Sequence, residues 1–330
     1  MNPLPSVMKA VAFTGSRQVA LLDCPIDPSP LKSVEVTGRT LASVISPGTE
    51  LNYRFDGPLE TPYYPGYAAV FEIEQMGSEV TDLKVGQRAL AMGAHGSRQR
   101  QHRADIVPLP EGLSPADGAI ARLMGVSWTT LTTTTARPAD RVLILGLGIV
   151  GNLAAQLFQS AGYSVTAVDP AESRRAIAQR SGITDVRAAC PVEDPAFAGT
   201  ITLTIDCSGH EQAVLDACKV VRKGGEVVLL GVPWKKRTDV SAFDILHVVF
   251  HKYVVLRSGW EWSLPRMGRD FSPGSIFGNF ASAMHWLATG RVKAQGLYKL
   301  ARPSEAQAAY NDLLQQRSEH LSTVFDWTAI

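Results

Sequence analysis

Apolar residues run along this chain in two rhythms. From about Lys9 to Pro110 they come in short bursts of strand length, as in Val34-Glu-Val-Thr37, Ala68-Ala-Val-Phe-Glu-Ile-Glu74 and Arg88-Ala-Leu-Ala-Met92. Pro47-Gly48, Gly57-Pro58, Pro65-Gly66 and Gly86 break the bursts. Alternation bounded by turn residues predicts an irregular, mostly antiparallel β domain, with segments too short for βαβ units. After Leu113-Ser-Pro-Ala-Asp117 the rhythm changes. Arg141-Val-Leu-Ile-Leu145 is a continuous apolar strand, and Ile149 to Ser160 has helical spacing. Ser164-Val-Thr-Ala-Val168 and a helix over 172–181 follow. Further apolar strands stand at 203–206, 226–231 and 253–257, with a helix expected over Glu211–Val221 between the first two. Fully apolar strands alternating with helices predict an α/β domain, a parallel sheet covered on both faces and doubly wound.

The last part returns to mixed patterning. A loop rich in aromatics, glycine and proline runs to Gly278, and helices are expected over 279–289 and 305–316. Strand-like runs lie at Gly296–Leu300 and Leu321–Trp327. The expectation is a first domain split around the second: residues 1–125, then an inserted 126–260, then a return over 261–330.

With 330 residues, 45% hydrophobic, there is enough chain for two cores. The net charge of +1 gives no field for nucleic acid or an anionic membrane. The basic runs Arg98–Arg103 and Lys235–Arg237 read as solvated loops. No apolar run reaches the roughly 18 residues of a membrane span. The stretch Met1–Lys9 lacks the apolar core of a signal peptide. Cys24, Cys190, Cys207 and Cys218 are scattered, without metal or disulfide spacing. These features favour a reduced, cytoplasmic protein.

The sharpest motif is Gly146-Leu-Gly148-Ile-Val-Gly151, set between a strand and a helix. Gly146 permits the tight turn, Gly148 lets a pyrophosphate approach the backbone, and Gly151 lets the helix pack on the strand. The free N–H groups at the helix start, around Ile149 and Val150, face the anion. Asp169 ends the next strand, placed to accept hydrogen bonds from ribose hydroxyls and to repel a 2′-phosphate; NAD(H) is therefore favoured over NADP(H). Arg174 and Arg175 follow and oppose that repulsion. Cys207, Ser208 and Gly231, at the ends of later strands, complete the candidate cofactor set.

Gly66 to Val80, Val85-Gly-Gln-Arg88, Val107 to Ser114 and Arg222 to Gly231 together resemble stretches of the medium-chain dehydrogenase/reductase superfamily over nearly the whole length. The resemblance implies a GroES-like β-rich catalytic domain split around a Rossmann domain. It also implies homodimers joined through the Rossmann sheets, acting on a small-molecule substrate. The family's zinc-ligand positions fall on Pro47, Tyr67 (with Ala68 after it) and Met124, and its four-cysteine lobe is shortened to Gly93–His102. Neither zinc site is expected, because structural and catalytic zinc need thiolate, imidazole or carboxylate donors. Ser46 to Glu50 and Val324 to Trp327 resemble a zinc-lacking branch that includes the dehydrogenase of the bacteriochlorophyll hydroxyethyl group.

By the same resemblance Thr49 begins a proton relay, Tyr67 takes the place of the zinc-binding histidine, Glu50 braces the site and His95 lies near the pocket. Each has a plainer reading. Thr49 and Glu50 suit a simple turn, Tyr67 a filler of the vacated space, and His95 an exposed loop. Trp128 stands where the family has a threonine, with Ser127 and Thr129 beside it and within reach of the cofactor. Trp260 and Trp262, with Tyr63, Tyr64 and Phe55, suit either an aromatic pocket or a contact between subunits. Three functions stay open: zinc-independent, NAD(H)-linked alcohol/carbonyl oxidoreduction; NADPH-linked reduction of an enone, quinone or imine; and catalytically idle cofactor binding.

Overall fold

Fourteen prolines and glycines from Lys9 to Gly86 keep the first strands short, and the computed structural model shows how they assemble. It describes residues 6–57, 60–317 and 319–330. The expected Gly57-Pro58 turn and the first part of the N-terminal stretch therefore lie outside the described residues. The early bursts form β1 (Val7–Gly15), β2 (Gln18–Pro25), β3 (Glu35–Val44), β4 (Ala68–Met76), β5 (Arg88–Ala91), β6 (Arg98–His102) and β7 (Ile106–Pro108). Helix α1 (Pro115–Thr133) follows, then β8 (Arg141–Leu145), α2 (Ile149–Ser160), β9 (Ser164–Val168), α3 (Glu172–Arg180) and β10 (Asp185–Arg187). Next come β11 (Ile201–Asp206), α4 (Glu211–Val220), β12 (Val221–Leu229), α5 (Ala242–Lys252) and β13 (Val255–Ser258). The chain closes with α6 (Ile276–Ala288), β14 (Tyr298–Ala301), α7 (Ala306–Leu314) and β15 (Ser322–Asp326).

The chain divides into two units: residues 1–122, 280–288 and 297–330 in one, and 123–279 with 289–296 in the other. The boundary expected at 260 thus falls inside the second unit, which keeps the aromatic loop and takes back a short later stretch.

In the first unit a sheet runs in the order β14-β15-β3-β4-β5-β7, with β6 on β3 and β1-β2 as a separate hairpin. Every pairing is antiparallel except β14 with β15. The terminal strand β15 enters beside β3, Val324 opposite Val44. Phe13, Ile45, Phe55, Tyr310, Phe325 and Trp327 fill one core here. Phe55 is wholly buried, its ring 5.5 Å from that of Phe13 and 5.3 Å from that of Tyr310, so it is a core residue and lines no pocket.

The run Arg98–Arg103 is largely strand β6 and not a loop. Its arginines alternate onto carboxylates: Arg98 onto Glu74, Arg100 onto Glu35 at 2.7 Å, and Arg103 onto Asp82.

The second unit is a six-stranded sheet in the order β10-β9-β8-β11-β12-β13, parallel throughout. Strand order reverses between β8 and β11, which is where such sheets open a crevice at their carboxyl ends. β8 beyond Arg141 and the whole of β11 are buried on both faces, as helix cover on two sides requires. Among the described residues no helix is long and apolar enough to cross a membrane.

Candidate functional site

The carboxyl end of β8 turns through Gly146 at φ 89°, a conformation a side chain would strain. The turn leads into α2, and the two are in near contact: a Cβ on Gly151 would lie 1.8 Å from the Gly146 carbonyl oxygen. Gly148 caps the helix without any side-chain hydrogen bond, and the space above its Cα is open, with nothing within 4 Å of a built Cβ. The first turn carries no acidic residue. Backbone N–H groups at Ile149 and Val150 thus sit at the positive end of the helix, beside the open space over Gly148. The residues present fit a dinucleotide's diphosphate.

Two buried carboxylates organise this turn. Asp169, 1% exposed, accepts from the Leu147 N–H at 2.8 Å and the Ala171 N–H at 2.8 Å, with Arg174 at 3.4 Å. It ties the end of β9 to the glycine turn, and its oxygens are turned inward instead of standing open to a ribose. Arg175 donates to the Asp169 and Pro170 carbonyls, at 2.9 and 2.7 Å.

Asp206, at the end of β11, was not among the expected site residues. It accepts from the Ser208 N–H at 3.0 Å, the Ser208 hydroxyl at 2.5 Å and the Gly209 N–H at 3.1 Å. Burial raises its pKa above the ordinary value, against the pull of those three bonds. This knot presses Ser208 to within 3.0 Å of a Cβ on Gly146, while a Cβ on Gly231 would lie 2.3 Å from the Gly209 nitrogen. The ends of β8, β11 and β12 therefore meet backbone to backbone. Cys207 packs against Gly151, and burial raises its thiol pKa well above the ordinary value. Ser127 donates to the Val150 carbonyl at 3.3 Å, and Thr129 accepts from Asn279 at 3.2 Å; both are buried, as is Trp128. Trp260 and Trp262 are half exposed on the same unit.

The first unit holds a second cluster. Pro47–Phe55 forms a wide helical turn, and Glu50 folds back so that its carboxylate accepts from the Ser46 N–H at 2.7 Å. The other oxygen accepts from the Tyr310 hydroxyl at 2.5 Å and meets His95 Nε2 at 3.2 Å. His95 Nδ1 lies 2.8 Å from the Ser43 hydroxyl, which accepts from the Trp327 indole at 2.8 Å. One assignment satisfies every atom: Trp327 donates to Ser43, Ser43 donates to Nδ1, and Nε2–H donates to Glu50. Burial, then the Glu50 charge, lifts the Tyr310 pKa well above the ordinary phenol value, so Tyr310 stays a donor.

His95 is wholly buried, its ring edge-on to Phe325. The exposed-loop reading is wrong because its backbone is pinned on both sides, its N–H to the Pro65 carbonyl and its carbonyl to the Val11 N–H, each at 2.9 Å. Thr49 is half-buried beside Ser46, hydroxyl to hydroxyl 3.3 Å.

Tyr67 leaves the same crossing. Gly66 runs so close that a Cβ there would lie 2.3 Å from Ala94 Cα. The next residue, half-buried, carries the Arg122 guanidinium over its ring at 4.1 Å. Tyr63 packs on Phe13 at 5.9 Å, with Arg54 over it at 4.8 Å. Sequence reasoning missed Ser43, Arg122, Tyr310 and Trp327, whose roles depend on contacts from distant segments.

The family described as zinc-binding dehydrogenase matches residues 150–261. An alcohol dehydrogenase of Geobacillus stearothermophilus is 28% identical over 56% of this chain and 65% of its own length. The chain covers 50–65% of the first curated relatives it matches. The fold is that of a zinc-binding dehydrogenase from Sinorhizobium meliloti solved with NADP (19% identity, TM-score 0.78, 98% of this chain and 100% of that one). It is also that of the acetophenone reductase of Geotrichum candidum solved with NAD (17% identity, TM-score 0.81, all of both chains). These matches together support the medium-chain dehydrogenase/reductase superfamily for this chain. No group of three or more His, Cys, Asp or Glu among the described residues is placed to hold a metal ion.

Proposed function

We propose that the chain is an oxidoreductase that exchanges a hydride between NAD(H) and the alcohol or carbonyl group of a small to medium organic molecule, without zinc. The observation that carries this reading is the glycine turn over Gly146–Gly151, with its uncapped helix start and open space at Gly148. When bound there, the nicotinamide dinucleotide supplies or takes up the hydride.

Zinc does not fit the residues at the family's ligand positions. Pro47 and Ala68 have no donor, Met124 is a thioether, and the Tyr67 ring is stacked under a cation. Oxyanion stabilisation then falls to hydrogen-bond donors, with the Tyr67 phenol and the Thr49 hydroxyl as the proton-handling groups. Glu50 and His95 hold the Ser46–Glu50 turn that carries Thr49 and do not touch the reacting atoms.

Asp169 favours NAD(H) through its charge beside the cradle. Arg174 and Arg175, drawn onto that same strand end, support the second reading, an NADPH-linked reductase. A second copy of the chain is the proposed partner of α5 and the edge strand β13, where Phe243, Leu246, Phe250 and Val255 are exposed.

Deuteride transfer from labelled NADH and NADPH to a panel of carbonyl compounds, on protein assayed for zinc, tests the reading. Transfer from NADH by zinc-free protein is the expected result. Preference for NADPH selects the second reading, stoichiometric zinc overturns the metal-free one, and transfer to no compound leaves the protein a binder only.

A further inference from the structure

We propose that Arg122 is a positioning residue for Tyr67: its guanidinium, stacked on the Tyr67 ring, fixes the phenol and supplies the positive charge that makes it an effective acid. The inference rests on the reading of Tyr67 as the proton-handling group.

Arg122 sits in the middle of α1, flanked by Ala119, Ile120, Ala121, Leu123 and Met124, all buried. It is itself 3% exposed. An arginine does not shed its proton on burial as a lysine does, so this is a permanent charge taken from water. Such a charge is tolerated where aromatic faces and polar groups replace its hydration. Two faces are present, Tyr67 at 4.1 Å and Phe280 at 5.1 Å from the guanidinium carbon. A residue that only filled space in this apolar helix would be another Leu or Met.

A cation within about 4–6 Å of a titratable group favours its charged form, by 1–3 pH units for a carboxylate beside arginine. Beside a phenol the sense is the same: tyrosinate is stabilised and the O–H becomes a stronger donor. In carbonyl reduction the carbonyl carbon gains the hydride with its electron pair, the C=O π bond opens onto oxygen, and that oxygen takes the Tyr67 proton. Tyrosinate remains, held by Arg122 until it recovers a proton from water. In the oxidative direction each step reverses. The guanidinium packed over its face also holds the ring, and Gly66 ties the preceding backbone against Ala94.

The test is a tyrosinate absorbance titration of the free protein, with the Tyr67 contribution isolated by subtracting the same titration of Tyr67→Phe. In Arg122→Met the Tyr67 midpoint is expected to rise by about one pH unit. Arg122→Lys, which keeps the charge but loses the stack, should restore part of the difference. It also carries the test alone if the neutral variant fails to fold, as a smaller upward displacement. A Tyr67 midpoint unmoved in either folded variant overturns the proposal. The titration needs neither cofactor nor substrate. A midpoint that moves in a protein that transfers no hydride would refute the functional reading and leave the pair standing, while transfer without the shift would do the reverse.

Discussion

The two clusters are built from opposite materials. In the second unit the cradle is almost all backbone: three strand ends meet at Gly146, Gly151, Gly209 and Gly231, and the carboxylates of Asp169 and Asp206 bind N–H groups. In the first unit the cluster is side chain on side chain. Glu50, His95, Ser43, Tyr310 and Trp327 come from five separate segments. A backbone site is fixed by what is missing at a position and tolerates many neighbours. A side-chain network is fixed by every member having its partner, and it fails when one is lost.

The largest effect is expected where the backbone leaves no room. Gly151→Val places atoms inside the 1.8 Å gap to the Gly146 carbonyl, so α2 must separate from β8. NADH affinity should fall more than about 100-fold and the melting temperature should drop with it, as for severe overpacking. Fluorescence titration and calorimetry check this. A variant that binds and melts like the parent would mean that the turn and helix are not in contact.

Glu50→Gln attacks the other kind of site. It replaces an acceptor-only carboxylate with an amide that accepts at one end only, so either Ser46 loses its acceptor or Tyr310 and His95 lose theirs together. A buried unmet partner costs about 1–3 kcal/mol, so a stability loss of about 2 kcal/mol is expected in denaturant unfolding, with NADH binding nearly unchanged. Equal damage to binding would show that the two clusters are not separate in function.

The difference in material explains what could be read in advance. The glycine spacing, the apolar strands β8, β9 and β11, and the change of rhythm near Ser114 are local in sequence, and the sheets formed there. Helix α1 went unnoticed among its threonines although Ser114 caps it, its hydroxyl accepting from the Asp117 N–H at 3.1 Å. Helix α5 was likewise missed despite the Ser241 cap. His95 reads as a loop residue because nothing beside it is apolar enough to announce burial; its shell is Phe325, Glu50 and Ser43, tens to hundreds of positions away. Arg122 was passed over because an arginine between alanine and leucine on a helix looks like a surface charge. Its two aromatic faces come from residues 67 and 280.

Gly148→Ala sharpens the contrast from the cradle side. Its φ of −61° suits alanine and its Cβ meets nothing, so stability should hold. The methyl group would occupy the space offered to the diphosphate, and NADH should bind about 10-fold more weakly, a loss of about 1.4 kcal/mol. A stability loss without a binding loss would place the cofactor elsewhere.

Alkaline pH probes both units with the smallest effect. Burial pushes the Cys218 thiol up to about 11 and the Cys190 thiol to about 12 in the second unit. In the first unit it raises the Tyr310 phenol from a starting value of 10.0. A raised folded pKa means the native state holds its proton longer than the unfolded chain. The stability from these groups is whole below the unfolded values and is lost as pH climbs through the folded ones. Because the unfolded thiols titrate near 9.0 and the phenol near 10.0, the second unit should feel the change first. Between about pH 7 and about pH 9.5 the unfolding free energy should fall by on the order of 1 kcal/mol. Cys190→Ala with Cys218→Ala should lessen that slope, with the buried Cys207 keeping its own share, whatever the change does to stability at neutral pH. If the slope persists in the double variant and vanishes in Tyr310→Phe, the first unit governs the loss, and its buried network is the less alkali-tolerant of the two.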